Sequence, residues 1–268
     1  MRAAVTGANV GPVNLTPDIP GLAAYLDAAQ QGRYEIDQLG ELSMEAAYEV
    51  QRELVGLRLA RGERVVGSKL GLTSKAKWEQ MGVNEVIAGV LTDEMAIADE
   101  FDLSRFIHPK AEPEVAFRLA ADLDPADANA DIVAAIDAVA PALEIIDSRY
   151  RDFKFTVTDV IADNTSAAGY VIGPWSPLPA DHTELDDLAV ELVLDGDVVQ
   201  KGSTADILGS PTDALRALVP LAARHRIALR AGDVVLAGAA TAAVLLGEQQ
   251  VEARVAGLGR VSTRGRRG

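Results

Sequence analysis

The sequence predicts an α+β fold in which a rolled, barrel-like sheet of mixed, largely antiparallel strands follows a helical N-terminal region. Apolar residues recur at helical spacing up to about residue 62, whereas short, irregularly spaced runs rich in β-branched residues dominate after it. Few helical patterns interrupt these runs, so the regular alternation of strand and helix that TIM barrels and Rossmann sheets require is missing. We therefore expect a helical region at residues 1–62 and a sheet domain at residues 63–268.

Two helices are predicted in the N-terminal region, over about residues 14–62. The first has Thr16 as a cap and Pro17 in the first helical position, and the second begins near Ser43 and ends at Gly62. Their apolar faces contain Leu22, Tyr25, Leu26 and Ala29 in the first helix and Ala47, Val50, Leu54 and Leu57 in the second. Helices without chemical groups of their own suit either a cover over a pocket or an oligomer interface, and both uses stay open.

The sheet domain is predicted from apolar strand runs and from helix caps. The strands fall at 65–66, 108–120, 142–147, 188–194, 198–199, 234–236 and 251–255, and the helices at about 75–81, 130–139 and 210–224. Asn129 precedes the helix at 130–139 and Pro141 ends it, while Ser210 and the proline after it begin the last helix. The predicted apolar face of the helix at 130–139 comprises Ile132, Val133, Ile136 and Val139. The dipeptide Asp195-Gly196 predicts a hairpin turn.

Composition excludes several classes of protein. The net charge is −15, whereas nucleic-acid binding needs a basic surface, so we expect no nucleic-acid partner. No apolar run approaches the roughly 18 residues of a membrane span and no signal-peptide core is present, so we expect no membrane association. The absence of cysteine excludes disulfides and thiolate chemistry and indicates a cytoplasmic location. The histidines lack zinc-ligand spacing, and no GxSxG serine motif occurs.

Three glutamates lie in apolar runs that are typical of buried strands: Glu112, Glu114 and Glu144. Residues two apart in a strand point to the same face, so Glu112 and Glu114 are expected side by side. Buried carboxylates at that spacing repel each other, and a hard divalent cation such as Mg²⁺ or Mn²⁺ is the simplest way to neutralise three of them. The alternative is a pair of strand-edge acids that face water and one glutamate that an arginine neutralises.

Other segments allow two interpretations each. Lys69 lies between small and apolar residues at a strand end, where it is either a surface charge or a desolvated amine near acids. Residues 163–169 are by themselves a loop with capping side chains, and the small residues at 237–244 permit either close approach to a ligand or tight packing. Arg149 and Arg151 are either salt-bridge partners or groups that recognise substrate carboxylates.

Four segments carry motifs of one family. They read Gly67-Ser-Lys-Leu-Gly-Leu-Thr-Ser74, Glu112-Pro-Glu-Val-Ala-Phe117, Pro141-Ala-Leu-Glu-Ile-Ile-Asp-Ser-Arg149 and Ala162-Asp-Asn-Thr-Ser166. In this order they resemble the 2-oxopent-4-enoate hydratase and 4-oxalocrotonate decarboxylase family of the fumarylacetoacetase-like superfamily. The resemblance runs from about residue 15 to 262. It implies a fumarylacetoacetase-like rolled sheet, with residues 63–268 as the catalytic domain.

The resemblance also implies a role for each candidate site residue. The metal ligands for Mg²⁺ or Mn²⁺ would be Glu112, Glu114 and Glu144. Lys69, beside the metal, would be the catalytic residue. The predicted substrate-binding residues are Ser166, Leu72, Asn164 and Thr241.

Four places in the chain resemble the decarboxylase branch of that family more than the hydratase branch. They are Ser148–Phe155, Thr165, Gly202–Gly209 and Gly238–Ala243. The implied reaction is the metal-dependent decarboxylation of 2-oxohex-3-enedioate to 2-oxopent-4-enoate and CO₂ in the meta-cleavage degradation of aromatic compounds. The alternatives are a 2-oxopent-4-enoate hydratase and a hydratase-docking subunit with little activity of its own. We expect a small 2-oxo dicarboxylate substrate, a homo-oligomer and a complex with a hydratase.

Overall fold

The structure is a computed structural model that describes residues 18–74, 78 and 82–268. The helices in these residues are α1 (Ile19–Gly32), α2 (Met44–Ala60), α3 (Val157–Ala162) and α4 (Pro211–His225). The strands are β1 (Val65–Gly71), β2 (Ile87–Thr92), β3 (Glu100–Asp102), β4 (Lys110–Leu119), β5 (Ile136–Ile146), β6 (Ala167–Ile172), β7 (Ser176–Pro177), β8 (Ala189–Leu194), β9 (Asp197–Ser203), β10 (Val234–Ala239), β11 (Val244–Leu245), β12 (Gln250–Val255) and β13 (Gly259–Arg266).

The strands form two sheets. The larger sheet has the order β2-β1-β10-β4-β5-β6, with β11 paired to β4 and β7 paired to β5. The smaller sheet has the order β3-β13-β12-β8-β9. Pairing is antiparallel except between β1 and β10 and between β13 and β3. The predicted class, an α+β protein with a mixed, largely antiparallel sheet, is therefore confirmed.

The centre of the larger sheet contains an irregularity in the pairing of β10 with β4. Leu236 lies opposite Ala116, but the next pair joins Ala239 to Glu114, so the register shifts between them. Gly238 lies within this bulge at a φ of +108°, a conformation that glycine adopts without strain. The bulge increases the local twist of the two strands beside the glutamates.

Helix capping agrees with the sequence at the starts of α2 and α4. Ser43 accepts a hydrogen bond from Ala46 N at the start of α2, and Ser210 accepts one from Thr212 N at the start of α4. The first helix begins at Ile19 with Asp18 as its cap, whereas the predicted cap at residues 16–17 lies outside the described residues. The helix predicted at 75–81 also lies outside them, except for residue 78.

The helix predicted at 130–139 is wrong. Residues from Ile136 onward form β5, and two turns precede it, in which Ala135 N bonds Ile132 O and Ile136 N bonds Val133 O. Asp131 Oδ1 accepts hydrogen bonds from Val133 N and Ala134 N within these turns. Pairing of β5 along the whole length of β4 outweighs the local helical spacing, because it satisfies a long row of backbone groups at once.

The two helices of the N-terminal region share one core with the larger sheet. Leu26 of α1 and Leu54 of α2 belong to the same cluster of buried side chains as Leu70 and Phe117 of the sheet. Tyr25, predicted on the apolar face of α1, is instead 46% exposed. Among the described residues, no helix is both long enough and apolar enough to span a membrane.

Candidate active site

The three glutamates meet on the larger sheet. Glu112 of β4 lies directly opposite Glu144 of β5, and Glu114 follows two residues later on the same face. One carboxylate oxygen from each lies within 4.8 Å of the others, and all three residues are buried. We call these three residues the acidic triad. The alternative that the strand acids face water is wrong.

In the part of the chain that the structure describes, Glu114 and Glu144 each keep a carboxylate oxygen without a hydrogen-bond donor. Glu114 Oε2 accepts a hydrogen bond from Gly238 N at 2.8 Å, and Glu144 Oε1 lies 2.9 Å from the Lys69 amine. Glu114 Oε1 and Glu144 Oε2 have no hydrogen-bond donor among the residues that the structure describes. Burial, and then repulsion by Glu144, raises the pKa of Glu114 well above its ordinary value. Buried carboxylate oxygens with open lone pairs fit a hard divalent cation, which would both neutralise and coordinate them.

Lys69 is the cation nearest to the acidic triad among the described residues. Its Nζ lies 2.9 Å from Glu144 Oε1 and donates a hydrogen bond of 2.9 Å to the main-chain oxygen of Thr165. Burial works to lower the pKa of Lys69, but the charges of the acidic triad outweigh it and the pKa lies above its ordinary value. With only 2% of its surface exposed, Lys69 is a desolvated amine rather than a surface charge.

The loop at residues 163–166 approaches Lys69 in an unusual backbone conformation. Asn164, Thr165 and Ser166 have φ values of 50°, 53° and 57°. The left-handed region costs a residue with a side chain about 1–2 kcal/mol. The hydroxyls of Thr165 and Ser166 are buried, and neither has a hydrogen-bond partner among the described residues. Two unsatisfied hydroxyls on the segment whose main chain bonds the amine suit a polar ligand in this place.

The remaining predicted substrate-binding residues lie on two nearby segments. Leu72 follows β1 directly and is half-buried with a φ of 54°. Thr241 follows β10, where its hydroxyl donates to Ala242 O at 3.1 Å. The segment that carries Thr241 runs along β4, since Ala240 N bonds Pro113 O. Contact of these side chains with substrate stays a prediction.

The side chain of Asn164 uses both of its polar atoms in hydrogen bonds to the protein main chain. Its Nδ2 donates to Val90 O at 2.9 Å, and its Oδ1 accepts from Val90 N at 2.8 Å. Both ends of the side-chain amide are therefore engaged by the backbone of β2.

Arg149 and Arg151 are both salt-bridge partners. Arg149 is buried and its guanidinium contacts the carboxylate and the main-chain oxygen of Asp163, at the start of the 163–166 loop. Burial raises the pKa of Asp163 to about 6, although Arg149 opposes the rise. Arg151 lies at the surface beside Glu35. Recognition of substrate by Arg149 would require breaking a buried ion pair.

Sequence reasoning missed the main-chain groups of the site. Thr165 O and Gly238 N each bond a charged side chain, and a main-chain group leaves no signature in residue type. The one signal in the sequence was the run of small residues at 237–244, which includes Gly238. A Cβ atom on Gly238 would lie 2.3 Å from Thr73 Oγ1. The run of small residues thus reflects both close packing and a contact with the acidic triad.

The chain is similar to known proteins in both sequence and fold. Residues 92–264 match the family described as fumarylacetoacetate (FAA) hydrolase, C-terminal. The chain belongs to the fumarylacetoacetate hydrolase family. Within that family it is 46% identical over 233 residues to a 4-oxalocrotonate decarboxylase from a Pseudomonas species, covering 85% of this chain and 90% of that protein. It is 38% identical over 229 residues to a 2-keto-4-pentenoate hydratase from Paraburkholderia phymatum, covering 82% and 87%.

A solved structure of a family member also has the same fold. It is the 4-oxalocrotonate decarboxylase from Pseudomonas putida G7, complexed with magnesium and adipate. The TM-score is 0.85 at 35% identity, with 92% of this chain and 97% of that chain covered. The predicted family and the fumarylacetoacetase-like fold are both confirmed.

Proposed function

We propose that the chain is a divalent-metal-dependent carboxy-lyase that converts 2-oxohex-3-enedioate to 2-oxopent-4-enoate and CO₂. The observation that carries this proposal is the acidic triad, which lies buried and in contact with the amine of Lys69. The identity of 46% to a 4-oxalocrotonate decarboxylase supports the same substrate class.

The reaction needs a group that accepts an electron pair and a site from which water is excluded. The C5–C6 bond breaks, CO₂ leaves, and the electron pair moves through the C3–C4 alkene to the oxygen on C2. Protonation of the resulting dienolate at C3 then gives 2-oxopent-4-enoate, which keeps its C1 carboxylate, so no oxidant or reductant is required. Bound Mg²⁺ or Mn²⁺ would supply a Lewis acid for the C1 carboxylate and the C2 carbonyl.

The residues of the chain supply the rest of the proposed chemistry. The acidic triad would hold the metal, and Lys69, in contact with Glu144 of the triad, would stabilise the negative charge that develops on the dienolate oxygen. The buried hydroxyl of Ser166, which has no partner among the described residues, would bind the substrate together with Leu72 and Thr241. Because Lys69 and Glu144 are almost fully buried, bulk water is excluded from their side of the site.

Hydration of 2-hydroxypenta-2,4-dienoate is the second candidate activity. A 2-keto-4-pentenoate hydratase is 38% identical to the chain, so relatives named for either activity resemble it. A docking subunit with little activity is the third candidate. It would have no need of a buried amine among three buried acids, and such a group is costly to keep.

A product assay separates these activities. Purified chain with Mg²⁺ and 2-oxohex-3-enedioate should release CO₂, and the same preparation should hydrate 2-hydroxypenta-2,4-dienoate far more slowly. Faster hydration would favour the hydratase, and absence of both activities with intact metal binding would favour the docking subunit. We further propose a cytoplasmic homo-oligomer that associates with a hydratase, which co-purification with such an enzyme would test.

A further inference from the structure

The side chain of Lys69 passes over a glycine on the neighbouring strand. Lys69 of β1 pairs with Gly89 of β2. A Cβ atom added to Gly89 would lie 3.1 Å from Lys69 Cδ and 2.5 Å from the main-chain oxygen of Asn164. The stem of Lys69 and the main chain of Asn164 therefore share the space that a side chain would fill. Together with Gly89 they form a slot that directs Lys69 toward the acidic triad.

Asn164 closes this slot through its side chain. The amide bonds both the N–H and the C=O of Val90, which is the residue after Gly89. Asn164 is only 2% exposed, and β2 is an edge strand of the larger sheet, so the amide takes the place of a missing neighbouring strand at this point. A group with both ends engaged in this way fixes a loop rather than binds a ligand.

The fixed loop presents an acceptor to Lys69. Thr165, the next residue, directs its main-chain oxygen at Lys69 Nζ from a left-handed conformation, with left-handed residues on either side. Such a backbone persists only where its surroundings hold it. The clamp to Val90 is one such restraint, and it lies one residue from the oxygen that receives the amine.

We propose that Asn164 is a positioning residue, which fixes the Thr165 carbonyl through its clamp on Val90 and thereby holds the Lys69 amine at the acidic triad. This inference rests on the proposed role of Lys69. It replaces the prediction that Asn164 binds substrate directly. The substrate instead meets the amine that Asn164 has oriented.

Two substitutions separate the clamp from the backbone conformation. Asn164→Gly deletes both hydrogen bonds but tolerates the left-handed backbone, whereas Asn164→Asp keeps an acceptor for Val90 N and loses the donor to Val90 O. We expect Asn164→Gly to lower kcat by about tenfold, the effect of a barrier change near 1.4 kcal/mol, with KM within about twofold. The kcat of Asn164→Asp should lie between those of wild type and Asn164→Gly. Faster hydrogen exchange of the Val90 amide in Asn164→Gly would report that the clamp is open.

A double-mutant cycle with Lys69→Ala decides whether Asn164 acts through the amine. In the Lys69→Ala background, Asn164→Gly should change kcat by less than about twofold, because the group that it positions is gone. The matched control is Asn129→Gly, at an exposed turn, which should leave kcat unchanged in both backgrounds.

The outcomes distinguish three cases. Equal losses of kcat in both backgrounds would overturn the proposal, since Asn164 would then act independently of Lys69. A rise in KM at constant kcat would also overturn it, in favour of direct substrate binding. Full activity of Lys69→Ala alone would instead refute the proposed function of Lys69 and remove the basis for the inference.

Discussion

Replacing Lys69 by methionine removes one positive charge from the site and leaves a side chain of nearly equal length in the slot over Gly89. The amine makes two polar contacts, each at 2.9 Å, with Glu144 Oε1 and with Thr165 O. Loss of one preorganised group that stabilises developing charge lowers kcat by about 100- to 1,000-fold in enzymes. We therefore expect Lys69→Met and Lys69→Ala each to lower kcat by at least about 100-fold.

The assay compares turnover with the binding of an analogue. Oxalate presents two adjacent carboxyl oxygens, as the C1–C2 end of the substrate does, so its affinity for the magnesium-loaded protein should change only a few-fold in either variant. Lys201→Met, at an exposed lysine of β9, is the matched control and should behave as wild type. If kcat stays within a few-fold of wild type in Lys69→Met, the amine is structural. If oxalate affinity falls as far as kcat, the amine binds the ground state instead of the transition state.

Three other predictions concern the metal, pH and the helices. Changing any one glutamate of the acidic triad to glutamine should abolish most Mn²⁺ binding by calorimetry, and EDTA should inactivate wild type reversibly; full activity after exhaustive chelation would contradict the site. His225 stacks on Tyr48 with their ring centroids 3.6 Å apart, and burial lowers the pKa of His225. Below about pH 6.5, the histidine therefore binds a proton more readily in the unfolded chain than in the folded chain. Stability should therefore fall as the pH drops through this range, and less steeply in His225→Phe, as measured by urea unfolding; identical pH profiles would rule His225 out. If α1 and α2 cover the pocket, oxalate with Mg²⁺ should slow hydrogen exchange in residues 18–60, whereas protection confined to 65–74, 110–116 and 142–168 would favour the oligomer interface.

The pairing of Glu112 with Glu114 could be anticipated because its signal is local. Two glutamates two residues apart in an apolar run must share one face of a strand, whatever the rest of the chain does. Their contact with Glu144 depends on the register between β4 and β5, which residue spacing does not give. The family resemblance implied that the three glutamates share one site. The fold class followed from similar local patterns.

The errors have a different physical origin. Ile132, Val133, Ile136 and Val139 repeat at helical spacing, but Ile136 and Val139 are strand residues whose partners on β4 lie about twenty positions earlier. Propensity within a short window cannot register such a partner. The role of Thr165 was hidden for another reason, since its main-chain oxygen would be present with any residue at that position.

The pairing order of the larger sheet limits how the site residues could be grafted onto another protein. Lys69 and Glu144 are carried by β1 and β5, and two strands, β10 and β4, stand between them. At about 4.8 Å per strand, a flat sheet would separate their backbones by roughly 14 Å, and side chains that stand perpendicular to such a sheet would not meet across it. Their contact at 2.9 Å therefore exists because the sheet curls. The curvature of the sheet thus determines whether Lys69 reaches the acidic triad. On a flatter scaffold, the same residues would place the three glutamates together but leave the amine out of contact with them. Selection on activity should accordingly act on positions such as Gly238, which shape the bend, as strongly as on groups that touch the substrate.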